Sequence, residues 1–127
     1  MFIGAAGEGK IASATRADYA AAAARVMTED GHAGKVYELA GDNGWTLSEL
    51  AAELTKQSGK NVVYQNLGQA DFAAALKSVG LPAGLADMLA DSDIGAAKGG
   101  LFDGSHTLST LIGRPTTSLA DSVKDLL

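Results

Sequence analysis

The sequence predicts an α/β fold in which helices outnumber strands. Capping signals precede several amphipathic stretches, whereas β-branched or aromatic runs are few and short. Glycines separate the two kinds of segment, as expected where elements end. A chain of 127 residues, 46% of them hydrophobic, has room for one domain with a core of its own. We therefore expect a single folding unit over residues 1–127.

The first clear helix signal is a capping box at residues 15–18. The Thr15 hydroxyl is placed to accept the amide of Asp18, while the Asp18 carboxylate is placed to reach back to the first free amides. This pattern predicts a helix over residues 16–29, with Gly31 as its left-handed terminator. We interpret Asp18 as a cap and Arg16 as exposed; the alternative is that they clamp a ligand or a half of the protein that is missing from this chain.

A second capping box, at Thr46 and Glu49, is the strongest local signal in the chain. Trp45 before the box and Leu50 after it are spaced as a hydrophobic staple. The box predicts a helix over residues 47–58 that ends at Gly59. Further helices are predicted over residues 69–79, 84–90, 105–112 and 118–126.

Strand signals are weaker than helix signals. Residues 35–39 and 61–65 are short β-branched or aromatic runs bounded by polar residues or glycine. Residues 2–5 and 10–14 are weaker candidates. Three or four such strands cannot easily form a self-sufficient sheet, so we expect some to pair with strands outside this chain.

Composition and charge exclude several classes of partner. The net charge is −5 and no cluster of lysine and arginine occurs, so the phosphate backbone of a nucleic acid would be repelled. No apolar stretch approaches the roughly 20 residues that span a bilayer. The absence of cysteine excludes disulfides and thiolate metal sites and fits a reducing compartment. We expect a cytoplasmic protein without a membrane span.

The glycine-rich segment at residues 4–9 superficially resembles a dinucleotide-binding turn. Such a turn needs a helix directly after it, because the pyrophosphate sits on that helix's N-terminus. Residues 10–14 instead follow as a candidate strand. We interpret residues 4–9 as a structural turn, so the sequence predicts no cofactor-binding residue here.

Three sets of residues have side chains or amides that could bind a metal ion or an anion. His32 and His106 lie in polar or glycine-rich surroundings without a second ligand, so we interpret both as solvated and predict no metal site. Asp87, Asp91 and Asp93 lack calcium-loop spacing and are interpreted as a solvated helix end. Residues 98–100 are interpreted as a flexible loop, the alternative being an anion-binding nest of exposed amides.

Several segments together resemble one protein family. These are GKIASATRADYAAA at residues 9–22, GKVYELAG at 34–41, WTL at 45–47, VGLP at 79–82, KGGLFD at 98–103 and GRPTT at 113–117. They resemble type 2 NAD(P)H:quinone oxidoreductases, members of the NmrA-like group of atypical short-chain reductases. The resemblance spans essentially the whole chain but only the C-terminal portion of such a protein.

The resemblance implies two-electron reduction of quinones by NADPH, with hydride transferred without flavin. It implies that this chain is a mostly helical substrate-side lobe with a few strands of an incomplete Rossmann-type sheet, residues 35–39 among them. The dinucleotide-binding half is then expected to be absent, because the first candidate strand, residues 2–5, lies directly after Met1. The chain alone is expected to be inactive, and its unpaired strand edges are expected to favour self-association.

The site residues implied by the resemblance are few. Ile94, Lys98 and Phe102 are expected to line the substrate cleft, whereas no catalytic residue is transferred. Short-chain reductases usually pair a catalytic tyrosine with a lysine four residues later, and the residues four after the three tyrosines are Ala23, Gly41 and Gly68. The alternative interpretations are a non-enzymatic NmrA-like regulatory or interaction module, and an autonomous helical interaction domain.

Overall fold

A computed structural model describes residues 1–127 and contains six helices and two short strands. About 50% of the residues are helical, which confirms the predicted α/β class with helices predominating. In chain order the elements are β1 (Phe2–Gly4), α1 (Arg16–Thr28), α2 (Leu47–Ser58), β2 (Tyr64–Asn66), α3 (Gln69–Ser78), α4 (Ala83–Ala97), α5 (Thr107–Ile112) and α6 (Leu119–Leu126).

The strands β1 and β2 form a parallel pair, with Phe2 opposite Tyr64 and Gly4 opposite Asn66. The rings of Phe2 and Tyr64 pack with their centroids 5.3 Å apart. Parallel strands need a long crossover, and here α1 and α2 lie between the two strands in the chain. The predicted first strand is confirmed, and the second begins later than predicted, at Tyr64.

Two predicted strands are wrong. Residues 35–39 form no strand, because no neighbouring strand of this chain hydrogen-bonds to them and the Val36 side chain is 91% exposed. Strand propensity expresses fit to a neighbouring strand, and such a segment stays irregular without one. Residues 10–14 contribute only an isolated antiparallel bridge between Ile11 and Trp45.

The two helices predicted from capping boxes are confirmed. The Thr15 hydroxyl accepts the Asp18 amide at the start of α1, and Thr46 and Glu49 form a reciprocal box at the start of α2. Gly59 ends α2 in the left-handed conformation, with φ 68°. The terminator predicted for α1 is wrong, since Glu29 caps that helix in an extended conformation.

The later helices are confirmed with changed boundaries. α3 ends one residue earlier than predicted, while α5 and α6 begin at Thr107 and Leu119. α4 continues to Ala97, seven residues beyond the predicted end at Ala90. Its extension follows from tertiary packing, because Ile94 packs on the core and Ala96 is buried.

Two small apolar cores hold the chain together. One joins the strand pair to α3 and α4 through buried Ala5, Phe72, Ala73 and Ala90, with Ile3 packed against it. The other joins α1 to α5 through buried Ala22, Leu108 and Ile112. No helix is both long and apolar enough to cross a lipid bilayer.

Candidate functional site

The carboxyl ends of β1 and β2 carry a polar cluster, which we name the strand-end cluster: Tyr64, Asn66 and Asp93. Asp93 of α4 accepts the Ala5 amide at 2.7 Å. The Asn66 side-chain oxygen accepts both the Gly7 amide, at 2.8 Å, and the Tyr64 hydroxyl, at 3.0 Å. Ligands of open parallel sheets bind beyond the carboxyl ends of the strands, so this edge is where the fold positions a site.

The Tyr64 hydroxyl is a weaker acid than that of an ordinary tyrosine. Burial raises the pKa of its hydroxyl above the ordinary value, and the nearby negative charges of Asp93 and Glu8 raise it further. The backbone amides of Ala6 and Gly7 act in the opposite direction without reversing the shift. The hydroxyl therefore remains neutral and helps to order the turn after β1.

α4 packs closely against the turn that follows β1, at two glycines. A Cβ atom on Gly4 would lie 2.9 Å from the Asp93 carboxylate, and one on Gly9 would overlap the Ala96 carbonyl oxygen. Gly9 therefore accepts only glycine without a backbone shift, whereas a side chain at Gly4 would displace the Asp93 carboxylate. The interpretation of Asp93 as solvated is wrong, because this contact and its bond to Ala5 fix it in place.

The two other acidic residues of α4 are exposed. Asp87 forms an ion pair with Lys77 of α3, with 2.7 Å between the charged atoms. Asp91 lies on the exposed surface of the same helix. These three aspartates therefore lie within a continuous helix, not at a helix end as predicted.

Residues 98–100 form an ordered helix terminus, so neither a flexible loop nor an anion nest is correct. Gly99 has φ 88°, and its amide donates to the Ala96 carbonyl. The Gly100 amide donates to Gly95, and the Lys98 amide to Ile94 and Gly95. This is a Schellman closure of α4, which occupies the amides that a nest would offer to an anion.

An apolar cleft of about 300 Å³ lies beside this helix terminus. Its lining is mostly hydrophobic and comes from three separate segments: residues 11–13, 38–40 and 100–103, with Tyr19 of α1. The Ala12 amide donates to the Leu101 carbonyl at 2.9 Å, which ties two of these segments together. The Phe102 ring packs on Gly44, where an added Cβ would approach it to 2.9 Å. Because its lining is mostly hydrophobic, the cleft can hold a small, largely apolar group.

The three predicted substrate contacts do not share one surface. Phe102 lines the apolar cleft. Ile94 packs half-buried against the core of α3 and α4, and Lys98 caps α4 with its side chain exposed. The cleft residues from segments 11–13 and 38–40 were missed, because irregular segments brought together by folding leave no local signal in the sequence.

A second, more polar cleft of about 500 Å³ lies between α2 and the start of α6. Its wall includes Asp42, which accepts the amide of Thr116 at 3.0 Å. The Ser109 hydroxyl, the Thr116 amide and the His106 imidazole lower the pKa of Asp42 to about 2, against the opposing effect of burial. Asp42 therefore stays charged and fastens the C-terminal segment to the loop before α2.

Asp18 fastens the same segment to α1 from the other side. Its carboxylate is fully buried and accepts the Thr117 amide at 2.8 Å, and the Arg114 guanidinium lies 2.7 Å away. Burial raises the pKa of Asp18, but the hydrogen bonds from Thr117 and Arg114 outweigh it, so the pKa lies below its ordinary value. The predicted reach of the Asp18 carboxylate back to the first amides of α1 is wrong, because that carboxylate binds Thr117 and Arg114 instead, whereas Arg16 is exposed as predicted.

Both histidines have side-chain partners, which corrects their interpretation as simply solvated. His32 is mostly buried, with its Nδ1 atom 2.7 Å from the Tyr37 hydroxyl. His106 is more than half exposed but lies 2.9 Å from the Asp42 carboxylate. The chain contains no group of three or more side chains that could hold a metal ion.

Comparison with known proteins gives the chain a close relative. It is 80% identical over 126 residues, 99% of its length, to quinone oxidoreductase 2 of Escherichia coli strain K12. The chain matches the C-terminal part of that protein. The predicted resemblance to type 2 quinone oxidoreductases is thereby confirmed, although no family model matches the chain.

Solved structures agree with the sequence comparison. The E. coli NADPH-dependent quinone oxidoreductase QOR2 in complex with NADPH superimposes with a TM-score of 0.94 over 98% of this chain, at 81% identity. Triphenylmethane reductase from Citrobacter sp., complexed with NADP(H), gives a TM-score of 0.90 at 37% identity. The chain covers 44% of each of these structures and 44% of the E. coli relative's sequence. These neighbours confirm the Rossmann-like fold class.

Proposed function

We propose that this chain is the substrate-side part of an NADPH-dependent quinone oxidoreductase, a single domain over residues 1–127. The observation that carries the proposal is the match to a QOR2 structure complexed with NADPH, at 81% identity over 98% of the chain. In this proposal a longer protein transfers hydride to a quinone, and this chain supplies the surface against which the quinone lies. No catalytic residue is assigned to the chain itself.

The apolar cleft supports this assignment by the chemistry of its lining. A quinone ring is planar and mostly apolar, and such rings stack on aromatic side chains or pack against aliphatic ones. Phe102 offers an aromatic surface, while Ile11 and Leu39 offer aliphatic walls. In the proposal Phe102 contacts the ring, and Ile94 and Lys98 hold the end of α4 in the position that the cleft requires.

We propose that NADPH is held by residues outside this chain. The glycine-rich turn after β1 leads into an isolated bridge at Ile11, so no helix N-terminus follows it to receive a pyrophosphate. The Gly7 amide is bonded to Asn66, and the Gly9 amide to Ala6. The residues present therefore do not fit the phosphates of a dinucleotide, and the chain alone is expected to be inactive.

A chimera tests this proposal directly. This chain would be joined to the part of the E. coli relative that lies outside the match, and NADPH oxidation would be followed with 1,4-benzoquinone. We expect turnover, with the intact E. coli protein as the positive control. A correctly folded chimera that oxidises no NADPH would contradict the proposal.

A substitution in the chimera tests the cleft. Phe102→Ala removes the aromatic wall and is expected to raise KM for the quinone by on the order of tenfold, the effect of losing one good apolar contact. Leu85→Ala, on an exposed part of α4, is the matched control and should leave KM unchanged. Equal KM values for the two variants would show that Phe102 does not contact the quinone.

Two further properties belong to the proposal. We infer a cytoplasmic location, because the reaction consumes NADPH in a reducing compartment. We also infer that the isolated chain associates with itself through the open edges of β1 and β2, since unpaired strand edges are templates for pairing. Light scattering over a wide concentration range tests the second inference, and a constant monomer mass would contradict it.

A further inference from the structure

The chain has three asparagines, Asn43, Asn61 and Asn66, and only Asn43 is followed by glycine. Asparagine is a chemically labile residue, because the backbone nitrogen of the next residue can attack its side-chain carbonyl carbon and release ammonia. A following glycine favours this attack, since it has no Cβ to crowd the reacting atoms and restricts the backbone least. The reaction therefore meets the least steric resistance at Asn43 and Gly44.

The fold leaves both reacting groups of this pair free. The Asn43 side-chain amide forms no hydrogen bond within the chain, and the Gly44 backbone amide donates to no other residue. Asn43 is exposed and lies outside the helices and strands. Both residues line the polar cleft of about 500 Å³, so water can reach the product of the attack.

The two other asparagines are protected by hydrogen bonds. The Val62 amide, which would have to attack Asn61, donates to the Thr55 hydroxyl at 2.9 Å. The branched Val62 side chain also crowds that approach. The Asn66 side-chain oxygen accepts two hydrogen bonds in the strand-end cluster, at 2.8 and 3.0 Å. Among the asparagines, only Asn43 thus combines a following glycine with unbonded reacting groups.

We propose that Asn43 is a site of spontaneous deamidation. The Gly44 backbone nitrogen forms a bond to Cγ of Asn43, the bond from Cγ to Nδ2 breaks, and ammonia leaves with the proton of the attacking amide. Water then opens the cyclic imide at either of its carbonyl carbons and gives aspartate or isoaspartate. Both products add one negative charge to a chain whose net charge is −5. This chemical step does not depend on the proposed function.

Deamidation at Asn43 alters a segment that contacts the apolar cleft. Gly44 packs on the ring of Phe102. On either side of the reacting pair, the amides of Gly41 and Trp45 are hydrogen-bonded to residues 11–12, at 2.7 and 3.0 Å. Isoaspartate lengthens the backbone by one methylene between these two fixed points. Gly44 must therefore shift against the Phe102 ring, which changes one wall of the cleft.

Peptide mass spectrometry tests the chemical step. Trypsin separates residues 36–56, which contain Asn43, from residues 61–77, which contain the other two asparagines. During incubation of the folded chain in mildly alkaline buffer, we expect the 36–56 peptide to gain about one dalton, on the order of tenfold faster than the 61–77 peptide. Asn43→Gln should abolish this gain, because glutamine would have to close a larger ring.

Two results would overturn the deamidation site. One is an equal rate of mass gain in the two peptides, after correction by a sample digested before incubation. The other is a 36–56 peptide that stays unchanged in the folded chain but gains mass in the chain unfolded by urea, because the fold would then protect Asn43.

The covalent chimera tests the consequence for the cleft, and this arm rests on the proposed function. The incubated chimera should show a higher KM for 1,4-benzoquinone than the fresh one, by less than the on the order of tenfold expected for Phe102→Ala. The Asn43→Gln chimera, incubated in the same way, should keep its KM. Equal KM changes in both chimeras would overturn the link to the cleft. An inactive chimera would overturn the proposed function, while the peptide result would still decide the deamidation site.

Discussion

Two regions of this chain are stabilised in different ways. The clamp region, comprising α1, α5 and residues 113–118, has a core around Leu108 and two charged residues, Asp18 and Asp42, that hold the C-terminal segment. The strand-end region, comprising β1, β2, α3 and α4, has an alanine-rich core and exposes large apolar side chains such as Met88. The first region is held by buried charged contacts, whereas the second is held by small apolar side chains packed between the strand pair and two helices.

The largest expected difference between the regions concerns one leucine in each. Leu108 is fully buried in the clamp region, while Leu89 on α4 is 36% exposed. Leu108→Ala should lower the free energy of unfolding by about 3 to 4 kcal/mol, because it removes buried methylenes and leaves a cavity. Leu89→Ala should cost about 1 to 2 kcal/mol, since about a third of the residue's surface is already in water. Urea unfolding of both variants measures the two changes in free energy of unfolding. Equal losses of stability would contradict the difference between the two regions.

Removing the buried carboxylate of the clamp region should have the next largest effect. Asp18→Ala leaves the Thr117 amide and the Arg114 guanidinium without their partner. We expect unfolding to become easier by about 2 to 3 kcal/mol, the cost of breaking a buried hydrogen-bonded pair whose cation is half exposed. Asp91→Ala, on the exposed surface of α4, is the control for loss of an aspartate. A result for Asp18→Ala within about 0.5 kcal/mol of this control would show that the clamp is not stabilising.

A smaller loss of stability is expected when the pH is lowered. The pKa of Asp42 is lowered to about 2 in the folded chain from an ordinary value of 3.8, so its contribution is complete above the higher value. That contribution is lost as the pH falls from about 4 to about 2, because the unfolded state takes up the proton first. Asp42→Asn should therefore flatten the dependence of stability on pH within this window. Urea unfolding at a series of pH values checks it, with Asp91→Asn expected to keep the original slope.

Features encoded by neighbouring residues could be predicted from the sequence. The capping box from Thr46 to Glu49 spans four residues and correctly predicted the start of α2, as Gly59 did its end. The Thr15 cap of α1 succeeded for the same reason. Such signals need no knowledge of distant contacts, because donor, acceptor and backbone conformation lie within one helical turn.

Features that depend on distant residues could not be predicted in this way. Asp18 and Thr117 are 99 positions apart, and nothing beside Asp18 indicates that its carboxylate is buried. The extension of α4 depends on Ile94 meeting the core. Residues 35–39 have the composition of a strand but no neighbouring strand, so the strand predicted from propensity alone does not form. For the site, the resemblance indicated Phe102, whereas the other cleft segments became visible only in the folded structure.

The central claim is a division of labour, with the quinone surface in this chain and the cofactor site outside it. Calorimetric titration of NADPH into the isolated chain, beside the intact E. coli relative, tests it most directly. The account predicts clear binding heat for the relative and none for the chain. Micromolar binding by the chain would contradict the account, because it would mean that the turn after β1 or the end of α4 receives the dinucleotide.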